Sequence, residues 1–321
     1  MIGLKMLPRN KKRVILIVGP TGVGKTSLSI DLASKINGEI ISADSRYLYK
    51  GMDIGTAKPS KEERNGIPHY LIDVAEPSET WSLSIFLERT REAIEKIHAD
   101  NKIPIVVGGT GQYIRALMEG WRIPEFEPDE HLRRVLNDWS EEIGGMDLHR
   151  KLAMLDNDAA RIIDPANVRR TVRALEVIFT TGKRFSTQRL KDGPAFDYWV
   201  IGLTMDRNQL FKQVDDRIEE MFTRGLVDEV KILMTKGYGS DLPSMSAIGY
   251  REVIRHLKGE IDLEEAKVLM RKGTRKFIRR QANWFKASDQ GIHWYSMDTD
   301  PVEMIITDLE RDGEKKHADD E

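Results

Sequence analysis

Short apolar runs and helical stripes alternate along most of this chain. Residues 14–18, Val-Ile-Leu-Ile-Val, form a β-branched run ending at Gly19, the pattern of a strand buried on both faces. Leu28, Leu32, Ala33 and Ile36 then recur at helical spacing, and Gly38 closes that helix. Apolar runs at 39–43, 69–74, 103–107, 198–203 and 292–295 predict further strands, with helical patterns such as 82–98 between several of them. This alternation predicts an α/β fold with a mostly parallel sheet.

The middle of the chain differs. From about 121 to 188 the periodicity is helical and strand signals are few. Leu132, Val135, Leu148, Leu152 and Leu155 read as apolar faces, and 172–179 as a helix stopped at Gly182. The expected division is an α/β core from 1–120 and 198–300, interrupted by a helical insertion at 121–197. Two long helical stretches follow, at 207–235 and 262–285, the second opening with Asp262-x-x-Glu265 in the manner of a capping box. Residues 308–321 mix both signs of charge without an apolar stripe, so 301–321 are expected to be a flexible tail.

Composition narrows the chemistry. None of the 321 residues is cysteine, which excludes disulfides, thiolate metal sites and Cys nucleophiles. The seven histidines are scattered, with no pair at metal-ligand spacing, and His69 and His293 sit in apolar strand contexts that suit packing. The tryptophans likewise suit packing. No apolar run approaches the ~20 residues of a membrane helix, and residues 1–10 lack the apolar stretch of a signal peptide. A cytoplasmic protein with no membrane contact is expected.

A net charge of −2, from 50 basic and 52 acidic residues, argues against a general polyanion binder. Charge is unevenly spread, however: 271–286 holds seven basic residues and no acidic one. On a helix, Arg271, Arg275 and Arg279 form one row and Lys272, Lys276 and Arg280 a second beside it. Such a stripe is either a solvated face or a surface whose repulsion phosphates relieve.

Gly19-Pro20-Thr21-Gly22-Val23-Gly24-Lys25-Thr26 fits G-x-x-x-x-G-K-[ST] at every fixed position, between a strand and an amphipathic helix. Its glycines let backbone N–H groups turn onto phosphate oxygens, and the helix N-terminus adds its positive dipole end. Lys25 supplies a cation, and the Thr26 hydroxyl can join the shell of Mg²⁺. Kinases and NTPases of this class also need an acid after a hydrophobic strand. The run at 103–107 leads instead into Gly108-Gly109-Thr110-Gly111, which carries none, and Asp73 after Leu71-Ile72 suits a strand end. The Gly-Gly-Thr-Gly turn suits a second backbone cradle at the sheet's carboxyl edge. Asp44 follows the second strand, where spacing alone favours a helix N-cap.

These segments occur with Gly51-Met-Asp-Ile-Gly-Thr-Ala-Lys-Pro59, Arg173-Ala-Leu-Glu-Val177, Ala247-Ile-Gly-Tyr-Arg251 and Arg279-Arg-Gln281. In that order they closely resemble the bacterial tRNA dimethylallyltransferases (isopentenyl-diphosphate:tRNA transferases), over roughly 13–295. The resemblance implies transfer of a dimethylallyl group from its diphosphate, with Mg²⁺, to the exocyclic amine of the adenosine 3′ of the anticodon. It implies Asp44 as general base on that amine and Thr110 near the reacting centre. It further implies tRNA contacts along Asp44, Ser45, Arg46 and Tyr47, at Arg133, and along Arg169, Arg170, Thr171, Val172 and Arg173. Ser246, Ala247, Ile248, Gly249, Tyr250 and Arg251 match a further contact segment, as do Arg279, Arg280 and Gln281, with Arg275 in the same stripe. Tyr47 departs from the family, which usually has Gln there. The partners implied are the tRNA anticodon stem-loop and dimethylallyl diphosphate, with no obligate protein partner.

The physical reading agrees. A P-loop holds a diphosphate leaving group as readily as an ATP tail, and an allylic carbon ionises easily once leaving-group charge is stabilised. The rival readings are a P-loop small-molecule kinase, a prenyltransferase acting on free adenine nucleotides, and an RNA-binding module with a vestigial P-loop.

Overall fold

The computed structural model describes residues 12–123, 129–188 and 191–319. Six strands, β1 (Arg13–Val18), β2 (Gly38–Ser42), β3 (His69–Tyr70), β4 (Ile103–Val107), β5 (Asp197–Thr204) and β6 (Ile292–Ser296), form one sheet in the order β3-β2-β4-β1-β5-β6. Every pairing is parallel. The β-branched run Val14 to Val18 is fully buried, as its lack of polar alternation requires. From β1 the chain winds one way to β2 and β3, returns through β4, and then crosses to β5 and β6. That reversal makes the carboxyl ends of β1, β4 and β2 neighbours, the position where open α/β sheets bind ligands.

The chain divides into two compact units, 1–118 with 196–321, and 119–195. In the first unit, α1 (Lys25–Ile36), α2 (Leu83–Ala99) and α3 (Gly111–Glu119) follow β1, β3 and β4. The second unit holds α4 (Glu130–Ile143), α5 (Gly145–Leu155), α6 (Asn157–Ile162) and α7 (Val168–Thr181). It has a core of its own, built from Leu136, Leu148, Leu152, Ile163, Val172 and Leu175 among others. Asp129, Asp156 and Asn167 cap α4, α6 and α7 through their side-chain oxygens.

After β5 come α8 (Arg207–Thr223), α9 (Leu226–Thr235), α10 (Tyr250–Leu257) and α11 (Leu263–Ala282), with α12 (Val302–Asp319) after β6. Three expectations need correction. The stretch 207–235 is two helices, because Gly225 takes φ 97° and begins α9 on a new axis. The strand expected at 69–74 stops at Tyr70, since Leu71 and Asp73 both adopt positive φ and leave the ladder. Where 301–321 were expected to be a flexible tail, 302–319 are helical: α12 buries Val302, Ile305 and Leu309, and 320–321 lie outside the described residues. That i, i+3, i+7 stripe begins before the mixed charges of 308–321 and runs into them at Leu309, which obscured it. No helix among the described residues is long and apolar enough to cross a membrane.

Candidate active site at the carboxyl edge of the sheet

The P-loop leaves β1 at Gly19 and enters α1 at Lys25, whose first amides have no intrahelical acceptor. Gly24, the residue before α1, offers no side-chain cap, so those amides face outward for an anion. Lys25 turns its ammonium back onto its own loop, donating to the carbonyls of Gly19 at 3.0 Å and Pro20 at 2.8 Å. Desolvation lowers its pKa to about 8; the charge of Asp44 pulls the other way, and the nearby Arg217 adds to the lowering.

The carboxyl end of β2 supplies Asp44. Its Oδ1 accepts from the Arg46 amide at 2.9 Å, an Asx turn rather than the helix cap that spacing suggested, because 45–48 form turns and no helix follows. At the end of β4, Thr110 accepts from the Ser45 amide at 3.3 Å, which joins the Gly-Gly-Thr-Gly turn to the Asp44 segment. Arg46 donates to the carbonyls of Pro243 and Ser244, anchoring the same turn from the other side.

A cavity of about 480 Å³ lies over these ends. Thr21, Gly22, Gly24, Lys25 and Thr26 line it together with Asp44, Tyr47 and Arg217. Ile30, Ile40, Ile54, Ile72, Val107 and Met221 add an apolar stretch of wall, beside further polar residues that include Lys58, Glu63 and Arg224. Tyr47 donates to the Ala57 carbonyl at 2.7 Å, and burial with the Asp44 charge raises its hydroxyl pKa to about 12. Hydrogen bonding to Thr26 and Arg217 acts against that rise. Arg217 and Arg224, both from the α8 region, escaped the sequence reading, since one arginine among alternating charges on an amphipathic helix carries no local signal. Asp73, the remaining candidate acid, is engaged elsewhere: it pairs with the buried Lys58 at 2.5 Å and with Arg64 at 3.9 Å.

Several residues expected to touch RNA are turned inward. Tyr250 is fully buried, and its hydroxyl donates to Glu229, whose carboxylate also receives the amides of Asp53, Ile54 and Gly55. This network fixes the 53–55 loop, which places Ile54 in the cavity wall. Ala247 and Gly249 are buried beside it, while Ser246 is exposed with its hydroxyl on the Pro243 carbonyl. Ile248 is half-buried against the main core. Arg251 remains half-exposed and pairs with Glu252 at 2.6 Å.

In the 119–195 unit, Thr171 and Val172 belong to the core side of α7. Arg133 and Arg173 both pair with the buried Glu176, at 3.0 and 2.7 Å. The burial of that carboxylate depends on them, so they are structural partners first. Arg169 is exposed and Arg170 partly so.

The basic stripe on α11 is also less bare than its sequence. Glu219 of α8 pairs with Arg271 and Lys267, and Asp215 of α8 with Arg275. Among the described residues no carboxylate pairs with the exposed Arg279 and Arg280. Phe211, Val268, Arg271, Lys272, Arg275 and Arg279 together line a groove of about 360 Å³. Gln281 is buried rather than presented to RNA. Its Nε2 donates to the Gly109 carbonyl and its Oε1 accepts from the Thr21 amide, both at 2.9 Å.

Comparison with known proteins decides the lineage. The IPP transferase family profile matches residues 47–288, and the isopentenyl transferase profile matches 12–78. The chain belongs to the IPP transferase family. A tRNA dimethylallyltransferase of Thermomicrobium roseum is 45% identical over 287 residues, 89% of this chain and 87% of that protein. The crystal structure of the full-length tRNA isopentenylpyrophosphate transferase of Bacillus halodurans superposes with TM-score 0.71 at 37% identity, covering 96% of this chain and all of that one. A eukaryotic dimethylallyltransferase acting on tRNA gives TM-score 0.79 at 31% identity, covering 92% of this chain and 77% of that one. The α/β architecture is thus that of the IPP transferases, and membership makes the chain a transferase.

Proposed function

We propose that this chain transfers the dimethylallyl group of dimethylallyl diphosphate to the exocyclic amine of the adenosine 3′-adjacent to the anticodon in tRNA, releasing diphosphate. The observation that carries the reading is one cavity with a phosphate-binding loop on one wall, a carboxylate on another and apolar side chains between. A kinase reading is less well served, because Asp73 is committed to Lys58 and Arg64.

In this reading the diphosphate rests on the amides opening α1, with Lys25 and Arg217 as counter-charges and the isoprenyl tail against the apolar wall. The carbon–oxygen bond to diphosphate breaks as the adenine nitrogen bonds to the allylic carbon. Asp44 accepts the proton that the amine loses, and Thr110 helps hold the amine side. The adenine must leave its stack to enter, at a cost of a few kcal/mol.

Mg²⁺ fits this donor set. Among the described residues no group of three or more His, Asp or Glu side chains is placed to hold a metal. A cation here would depend on Thr26, which lines the cavity with Asp44, and on phosphate oxygens and water, the coordination Mg²⁺ prefers. When bound it neutralises charge on the leaving diphosphate.

Diphosphate release under single-turnover conditions tests the proposal. Release is expected only when tRNA and dimethylallyl diphosphate are both present. Asp44→Asn, which keeps the shape and the turn but not the basicity, is expected to slow it ~10² to 10⁴-fold. Phosphate release from ATP without tRNA would overturn the transfer reading. An Asn variant within about tenfold of wild type would return Asp44 to a turn-forming role.

A further inference from the structure

Gln281 joins the two loops that the chemistry must hold in register. Its carboxamide lies between the crown of the P-loop and the turn after β4, donating to Gly109 and accepting from Thr21. The two partners fix its orientation, since only the NH₂ can face a carbonyl and only the oxygen can face an N–H. The approach is close: a Cβ on Gly109 would stand 2.1 Å from Nε2 of Gln281 and 3.6 Å from Nζ of Lys25. Thr110, next in the chain, accepts from Ser45 beside Asp44. A short series of hydrogen bonds therefore runs from the P-loop through Gln281 and the Gly109–Thr110 turn to the carboxylate segment.

The bond to Thr21 pins the loop through an amide that precedes α1 and leaves the amides at the start of that helix for an anion. Gln281 is the last buried residue of α11, one position beyond the exposed Arg279 and Arg280. Its burial at the end of a basic helix separates it chemically from the cations that precede it.

We propose that Gln281 is a positioning residue which sets the spacing between the leaving-group cradle and the side of the crevice that receives the amine. The inference rests on the transfer reading above. In an in-line displacement the reacting atoms must be held near contact distance, and a displacement of about 1 Å costs on the order of 10²-fold in rate. Neither atom of the carboxamide need touch substrate for the residue to matter, because it acts through the two loops.

Two variants test this. Gln281→Met keeps the volume and removes both hydrogen bonds. It is expected to lower the single-turnover rate about 10²-fold at saturating substrates, with tRNA affinity within about twofold of wild type. Gln281→Glu keeps an acceptor for Thr21, loses the donor to Gly109 and adds a negative charge beside the cradle. It is expected to raise the donor KM about tenfold and to weaken calorimetric binding of inorganic diphosphate to the free protein by a similar factor.

A wild-type single-turnover rate in a folded Met variant would overturn the proposal. So would a fall in tRNA affinity matching the fall in rate, which would make Gln281 an RNA contact. If the Met variant does not fold, unchanged diphosphate binding by the Glu variant overturns the proposal instead. Failure of the transfer reading is distinguishable, because the wild-type protein would then release no diphosphate with tRNA while the binding difference between wild type and Glu variant persists.

Discussion

Lys25 is the residue whose ionisation the fold alters most usefully. Its ammonium stays charged below pH 8 and loses the proton as pH rises through about 8, where the free side chain would hold it to 10.5. Between those values the folded chain binds fewer protons than the unfolded one. The folded state's disadvantage from this group is therefore greatest below pH 8, and stability attributable to it rises with pH across that window. Donor binding has the opposite sign. An anion on the P-loop favours the charged form, so binding takes up a proton above pH 8 and weakens by up to about tenfold per pH unit. Lys25→Arg keeps its charge throughout and is expected to flatten the dependence. Calorimetric affinities for inorganic diphosphate from neutral pH to well above 8 check this; a wild-type affinity that stays flat above pH 8 would remove Lys25 from the anion site. The lysine itself was legible because the P-loop is a local pattern. Arg217 was not, and Gln281 was legible only as a tRNA contact that the resemblance implied, because the partners of both lie far away in sequence.

At the scale of elements, α11 shows how a one-dimensional charge run misleads. Residues 271–286 contain no acid, yet α8 supplies Asp215 and Glu219 to Arg275 and Arg271. Lys272, Lys276, Arg279 and Arg280 are exposed without a carboxylate partner among the described residues, and Arg279 and Arg280 are the two arginines of that set. Replacing both with Ala is expected to flatten the log–log salt dependence of tRNA binding by roughly 0.7 to 0.9 for each phosphate that is no longer neutralised. Arg275→Ala is expected to change the slope less, because its charge is already matched. Filter binding across a salt series measures both, and an unchanged slope in the double variant would make the stripe a solvated face. Other elements divided along the same line. β1, β2, β4 and β5 were readable because buried parallel strands are continuous apolar runs. The break at Gly225 and the early end of β3 depend on backbone conformations that composition does not display.

At the scale of the molecule, the sheet order explains why the site forms where it does. Three strands distant in sequence end side by side, and each contributes one part: the P-loop from β1, Asp44 from β2 and the Gly109–Thr110 turn from β4. Periodicity predicted the parallel sheet, but only strand order makes those ends neighbours. In the proposed function this edge carries one bond-making reaction on RNA. It is tested most directly by incubating unmodified tRNA with the protein, dimethylallyl diphosphate and Mg²⁺, then weighing the digested nucleosides and the anticodon-loop fragment. An adenosine heavier by one dimethylallyl group, located 3′ to the anticodon, is expected. A tRNA of unchanged mass, or a prenyl group found only on free adenine nucleotides, would contradict it.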